Sequence, residues 1–552
     1  MLDLMSSLKL ILWLDSMKTI LQDYLSMYCF SVFVSKVLCL IDDLDKWFED
    51  RFVLSIEYSK MKEFHLVVVL LLISLVESDR TKPRIAIVGA GVGGSSVAYH
   101  LSQEIPGASV TVFEKGRIGG RVTTLEVDGR EYEVGGCIIH PANRLMLEHL
   151  DRCQLVKASG EETSSLSIIR NGEIIYQQDN SWLSSLKAVL RYGLWSLAKM
   201  EYFIGNLLSN FAEIYPKLNA GDAFSSVSDL LDGMSPVSRS GEVSHEMLEL
   251  TRVSLKEKMK HLSMADLLIE EIGTVATKVN YGQFPGMHSF VGSVSLAGIQ
   301  GGLWRVQGGN YKIPECLISK SGAKLIIAKV NTVEKLGGVY NLGYTTEKGT
   351  ETAEFDIVVL ALPLTQDTKS LEIVGVPGAK IFPGKYQRTL AYIVQGSLNY
   401  TGLGVTVDWA QTENFFFVDA AEPIASIGRL TPVDYNPYSD KDIATVYKIF
   451  SRLELSKSEI GKYFSSVISV DTLDWLAYPD YSTYPGLSSF QLEDDLYYLN
   501  NIEWAASAME MSALSARNIV NIIKSRQSET VLKNPENTPQ KSTSKVDPKA
   551  EL

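Results

Sequence analysis

Apolar and polar residues follow two rhythms along this chain, and the points where the rhythm changes mark its elements. Residues 85–88 (IAIV) are an unbroken apolar run, the signature of a short strand covered on both faces. Residues 95–101 (SSVAYHL) read as the body of a helix packed against it. A second strand is expected at 110–113 and a third at 357–361, the latter returning to the same sheet. Residues 323–338 and 339–349 read as a strand pair, and 496–499 as a strand followed by a turn and a helix from about residue 508. Between 181 and 215 the rhythm is helical: Leu186, Val189, Leu190, Leu194, Leu197, Met200, Phe203, Ile204, Leu207, Leu208 and Phe211 recur at helical spacing. That predicts one long or two consecutive amphipathic helices, either ordinary core or the wall of a lipid-shaped cavity, with spacing alone favouring core. Residues 234–272 read as helical and charged, and 387–429 as mostly β.

The turns between these elements carry the candidate chemistry. Gly89-x-Gly91-x-x-Gly94 lies between the first strand and its helix. There the first glycine permits a tight turn, the second a close approach of backbone to a pyrophosphate, and the third close helix–strand packing. Free N–H groups at the helix start favour the anion. Glu114 ends the second strand about 20 residues on, where a carboxylate accepts the ribose hydroxyls of an adenosine. Arg117-x-Gly119-Gly120-Arg121 follows directly, offering a further close backbone approach and, at Arg121, a guanidinium fork for phosphate oxygens; Arg117 is either a second such group or solvated. This second motif separates a flavin dinucleotide from a nicotinamide one. Gly135-Gly136 leaves room for a flat ring, and His140 beside it is either an acid–base group or a loop hydrogen-bonder. Two more glycine pairs, at 301–302 and 308–309, bracket Trp304. Val330 is a candidate for backbone contact with adenine. Met509 stands near the start of the last helix, whose N–H groups would face an electron-rich ring carbonyl and whose small residues Ser512, Ala513 and Ala516 allow tight packing.

Composition narrows the function classes. With 552 residues, 45% of them hydrophobic, the chain can form several core-bearing units. A net charge of −13 argues against a nucleic-acid partner, which needs a basic face. The five cysteines (29, 39, 137, 153, 316) show no CxxC and no metal spacing, and with only three beyond residue 80 no disulfide framework is expected. Residues 64–76 form a 13-residue run without charge, shorter than the 20 or so needed to span a bilayer but sized for a signal-peptide core, with Val76-x-Ser78 as a cleavage point before Asp79. Residues 1–60 then read as an upstream extension, although their own apolar stretch, 25–40, could insert in a membrane. A sequon at Asn399 fits a lumenal route, and residues 527–552, with no aromatic residue, are expected to be a disordered tail.

"GAGVGGSSVAYHL", "FEKGRIGGR", "GGCIIHPAN", "FVGSVSLAG", "GLWRVQGGN", "WLAYPDY" and "YYLNNIEWAASAMEMSALSARN", in that order between residues 83 and 526, resemble the prenylcysteine oxidases, whose plant members are called farnesylcysteine lyases. Cys137 departs from an expected Ser, Trp504 from the Cys of animal members, and Asn501 from their Gly; the Trp argues against a covalent flavin link. The resemblance implies an α/β fold in which an FAD-binding Rossmann-like domain is interleaved with an α+β substrate domain, in an amine oxidase-like architecture. The expected parts are an extension (1–60), a signal peptide (61–78), FAD-binding segments at 81–155, 296–366 and 481–526, substrate-domain segments at 156–295 (mainly helical) and 367–480, and the tail. It implies non-covalent FAD and oxidation of farnesylcysteine or geranylgeranylcysteine: hydride leaves the allylic carbon beside sulfur, water adds, and cysteine, prenyl aldehyde and, with molecular oxygen, hydrogen peroxide are released. A dedicated catalytic base is not obligatory and none is named, no metal is expected, peripheral membrane contact is possible, and the expected location is the secretory pathway, in a lysosome or vacuole. Two rivals share the fold: a flavin amine oxidase, and a non-redox prenyl-binding escort, against which Glu114, Arg121 and the last helix speak.

Overall fold

Five parallel strands and one antiparallel edge strand make a sheet in the order β18 (Gln491–Glu493), β19 (Leu496–Tyr498), β11 (Ile357–Leu360), β1 (Arg84–Val88), β2 (Ser109–Glu114) and β7 (Lys324–Ile327). The computed structural model describes residues 82–158, 165–178, 182–236, 244–368, 371–376, 382–405, 412–438, 440 and 443–533. The expected extension and signal peptide lie outside them.

The helices that shape the site are α1 (Val92–Glu104), α2 (Arg144–Arg152), α3 (Trp182–Tyr192), α4 (Leu194–Ala212), α5 (Lys312–Ser321) and α6 (Met509–Lys533). On β1, Ile85 and Ile87 point to the side where α1, α5 and α6 pack, and Ala86 and Val88 to the other. That other face is covered by a four-stranded sheet in the order β10 (Gly349–Phe355), β9 (Val339–Thr346), β8 (Lys329–Leu336) and β12 (Glu372–Val374), through Val333, Tyr340 and Leu342. Both faces are dry, which is why the strands carry no polar alternation.

A seven-stranded sheet forms the second body: β17 (Phe464–Pro479), β13 (Tyr386–Leu398), β16 (Val446–Ser451), β15 (Ile424–Leu430), β14 (Asn414–Phe417), β5 (Leu166–Arg170) and β6 (Glu173–Gln178). The hairpin of β3 (Thr124–Val127) and β4 (Arg130–Glu133) leads from the Rossmann-like part toward it.

Three expectations need correction. The helical stretch is two helices, broken where Gly193 takes φ +83°, but Leu186, Leu190 and Leu194 are not core: they are exposed, Leu190 at 78%, together with Trp182, Leu183, Trp195 and Tyr202. Those seven fall on one face of α3 and one of α4, while Met200, Phe203, Ile204 and Leu207 point inward. Second, Cys153 and Cys316 form a disulfide joining the end of α2 to α5, with Cα atoms 6.0 Å apart across 163 residues of sequence. α5 packs along α1, and His149 and Arg152 of α2 hydrogen-bond to Ser96 and Tyr99 of α1, which brings together two cysteines that no spacing rule connects. Third, the expected tail begins as helix: residues 527–533 continue α6, and 534–552 lie outside the described residues.

Candidate active site

The turn after β1 is built around backbone atoms that leave no room for side chains. Gly89 takes φ +108° and donates its N–H to the Phe113 carbonyl at 2.8 Å, and a Cβ there would lie 2.4 Å from the Ala361 carbonyl oxygen. A Cβ at Gly94 would lie 1.9 Å from the Gly89 carbonyl oxygen, so the third glycine sets how closely α1 rides on the strand. Gly91 caps α1 with no side-chain hydrogen bond, and the first turn holds no acidic residue, so the leading N–H groups remain for an anion. The two glycine motifs meet: Gly91 bridges to Gly119, and a Cβ on Gly120 would approach the Gly91 Cα to 3.3 Å. Glu114, 8% exposed, is held in place by two backbone donors, Ala90 N–H to Oε2 at 2.8 Å and Gly116 N–H to Oε1 at 3.0 Å. Each oxygen keeps further lone-pair capacity for a ligand hydroxyl.

One cavity of about 2190 Å³ runs from this turn into the second body. Gly89, Gly91, Glu114, Gly119, Gly120, Arg121, Gly135, Gly136, Val330 and Met509 all line it; Gly94 lies beneath. Met509 is in ordinary contact with the Cβ position of Gly136, and Gly136 donates its N–H to the Arg121 carbonyl at 3.0 Å. Arg117, an exposed residue that also lines the cavity, lies over the Tyr311 ring and donates to Thr124 and Glu131.

Two site readings change. Arg121 does not hold its fork open toward the cavity: it makes a two-pronged pair with Glu503 and donates to the Ala477 carbonyl at 2.8 Å. Glu503, fully buried, also accepts from Asn500 Nδ2 at 2.6 Å and Tyr386 Oη at 2.8 Å. Arg121 therefore clamps the second glycine motif to the C-terminal block. Gly135 is small because of its neighbours within the chain, since a Cβ would stand 2.0 Å from the Arg121 carbonyl oxygen and 2.7 Å from the Trp475 ring. Of the pair, Gly136 alone has only ordinary contacts there.

The cavity's far part is apolar on opposite walls. Leu207, Leu208 and Phe211 of α4 face it from one side, with Phe290 and Val294, and Phe416, Phe450 and Trp475 of the seven-stranded sheet from the other. The helical stretch thus supplies core, cavity wall and exposed face from different sides. His140 lines the cavity and hydrogen-bonds within its loop: Nδ1 accepts from the Ala142 N–H at 3.0 Å, and burial lowers its pKa. Trp504 and Asn501 are buried away from the cavity. Sequence reasoning passed over four lining or clamping residues, Glu133, Lys448, Glu503 and Glu510. Burial raises the Glu133 carboxyl to about 7, against the pull of the Asn310 N–H, and its Oε2 has no partner. Burial likewise raises Glu510 to about 7, although Tyr215 Oη and the Leu145 and Met146 N–H groups at the start of α2 all donate to it. The signal available in sequence was an acid inside an apolar setting, in "EYEVGG" and "SAMEMSA".

Among the described residues no group of three or more acidic, His or Cys side chains is placed to hold a metal. The model of the Rossmann-like NAD(P)-binding domain matches residues 87–153, and that of the prenylcysteine lyase family matches residues 175–536. Prenylcysteine oxidase 1 of Bos taurus is 35% identical over 460 residues, covering 79% of this chain and 87% of its own. The Homo sapiens protein of that name is 34% identical with the same coverage, and prenylcysteine oxidase 1-like of Bos taurus is 31% identical over 81% of this chain. Among solved structures, a putrescine oxidase triple mutant (TM-score 0.53, 15% identity, 81% of this chain and 99% of its own) and a CLA-producing fatty acid isomerase from P. acnes (0.55, 14%, 80% and 98%) share the fold. A Rossmann-like sheet with its glycine cradle, joined by one cavity to a seven-stranded body, is thus accompanied by a family match across most of the chain: the protein belongs to the prenylcysteine lyase family.

Proposed function

We propose that the protein is an FAD-dependent oxidase that cleaves the thioether of prenylcysteines, consuming oxygen and water and giving prenyl aldehyde, free cysteine and hydrogen peroxide. The observation that carries this reading is the single cavity leading from a dinucleotide cradle into an apolar chamber. Non-covalent FAD fits the cradle: Glu114 would take the ribose hydroxyls, the N–H groups after Gly91 the pyrophosphate, and Gly136 with the start of α6 the ring. When bound, the flavin supplies the two-electron acceptor. The chain's own part is to fix the substrate's allylic carbon, exclude water from the apolar chamber and hold Gly136 in place through Arg121 and Glu503.

The purified protein is expected to be yellow, and anaerobic farnesylcysteine to bleach its visible band. Glu114→Ala removes two charge-assisted hydrogen bonds to the ribose, each worth about 1.5–3 kcal/mol, so this variant should lose cofactor on dialysis. A colourless protein that binds prenylcysteine would point to an escort. Bleaching by simple amines and not by farnesylcysteine would point to an amine oxidase.

The same reading places the protein in the secretory pathway, in a lysosome or vacuole, at a membrane surface. The Cys153–Cys316 disulfide supports an oxidising compartment. So does the sequon, whose Asn399 stands in a turn with one amide hydrogen given to the Lys462 carbonyl. For membrane contact the support is the exposed face of α3 and α4. It carries two Trp, a Tyr and four Leu with Lys187 and Lys199 nearby, on a chain otherwise rich in acid. Its helix α4 continues into the cavity wall, as suits a substrate that partitions into lipid.

A further inference from the structure

Lys448 brings an ammonium group into the cavity with no carboxylate paired to it. It sits on β16 opposite Gly428 of β15 and Ile393 of β13. Alternation puts it on the same face as Phe450, while Tyr447 and Ile449 pack into the core behind the sheet. Only 8% of the residue is exposed. Its Nζ donates to the Glu133 carbonyl oxygen at 3.3 Å and to Cys137 Sγ at 3.5 Å, and stands 4.7 Å from the centre of the Phe450 ring. Among the described residues it takes part in no ion pair. Glu133 directs Oε1 to the Asn310 N–H; burial raises its carboxyl to about 7, against a pull to which Lys448 itself contributes through space, without an ion-pair contact.

Buried charges in folded proteins are normally paired, because an unpaired one loses its hydration without return. A backbone carbonyl and a thiol are weak compensation. The cation lines the same cavity as Gly136 and Met509, beside Cys137 and the Phe450 ring, with Phe416 two strands away across Ser426 on the same sheet. A ligand with an apolar chain and an anionic end matches that sequence of surfaces.

We propose that Lys448 anchors the α-carboxylate of the cysteine end of the substrate, the prenyl chain running over Phe450 and Phe416. This rests on the reading of the protein as a prenylcysteine oxidase. Lys448 is then a positioning and specificity residue: it fixes the amino-acid end and so the distance of the allylic carbon from the reacting centre.

The test uses the holoenzyme and an unreactive pair of probes, S-dodecylcysteine and its methyl ester, titrated calorimetrically. The parent should bind the acid more tightly than the ester by roughly 30-fold, the scale of losing one partner of a buried charge pair. Lys448→Met should bind the two alike, and Lys448→Arg should restore part of the preference. Kinetically, Lys448→Met should raise KM for farnesylcysteine more than it lowers kcat. A preference for the acid that survives in Lys448→Met overturns the inference. So does a Lys448→Met enzyme whose flavin spectrum and rate of reduction change while its acid preference stays, which would assign the cation to the cofactor. If the parent fails to oxidise farnesylcysteine at all, the functional reading falls instead, and the binding arm still reports on Lys448.

Discussion

A methyl group at residue 94 would meet the Gly89 carbonyl oxygen at 1.9 Å, and neither atom belongs to a flexible side chain that can move aside. Gly94→Ala is therefore expected to cost about 3 kcal/mol, the upper end for overpacking, and to weaken flavin retention by lifting α1 off β1. Urea midpoints and dialysis would show both; an unchanged midpoint would mean the turn shifts freely. Glu133 makes a prediction of a different kind. Its folded pKa, about 7, is raised above the ordinary carboxylate value of 4.5. Below the lower value both states hold the proton; as pH rises from there through 7 the unfolded chain releases it first, so stability present in acid is lost across that window. Burial raises Glu510 in the same direction, and both losses are present in the parent. Glu133→Gln should remove one of them, shrinking the fall in unfolding free energy between about pH 5 and pH 8 by up to about 3 kcal/mol. Equal pH slopes for parent and variant would refute the assignment.

At the scale of elements, the disulfide and the exposed helical face each carry an expectation. Cys316→Ser frees α5 from α2 and should lower stability by about 2–4 kcal/mol, and the parent in reductant should match the variant. A variant as stable as the oxidised parent would show that the contacts of both helices with α1 suffice. For the exposed face, Leu190→Glu with Trp195→Ala should reduce partition onto anionic vesicles by about tenfold or more, since each large apolar side chain contributes roughly 1.5–3 kcal/mol on burial. Unchanged partition would dismiss membrane contact through α3 and α4. What was legible in sequence divides along the same elements. The strands at 85–88, 110–113 and 357–361 were readable because both of their faces are covered, and Glu114 because its distance from the glycines is fixed by the βαβ geometry. Lys448 was not, since alternation on a strand says which residues share a face but not which face meets a cavity. The partner of Arg121 lies 382 residues away, and the pairing of Cys153 with Cys316 spans 163, distances at which local pattern carries no information. The leucines of α3 misled because an apolar stripe looks the same whether it meets the core or stays outside.

For the molecule as a whole, the proposed cofactor cradle belongs to no single segment. Glu114 comes from the first part, Val330 from the middle and Met509 from the last, so FAD is expected to bind the folded chain alone. At a free concentration about 100 times its Kd it should add about 2.7 kcal/mol, visible as a rise in melting temperature on titrating the apoprotein; a melting temperature indifferent to FAD would place the ligand elsewhere. The strand order also dictates a timetable for biosynthesis. β1 and β2 emerge from the ribosome early, yet β1 waits for β11 beside it, and β11 in turn for β19, while Gly93 of α1 waits for Leu499 to fill the space above it. Through all of that interval a bare strand edge and the Arg121 guanidinium are without their final neighbours. On the proposed function, flavin loading is therefore expected to be the closing event of maturation, and a nascent chain arrested before residue 491 should emerge colourless and bound to chaperones, however much of its glycine motif has already been made.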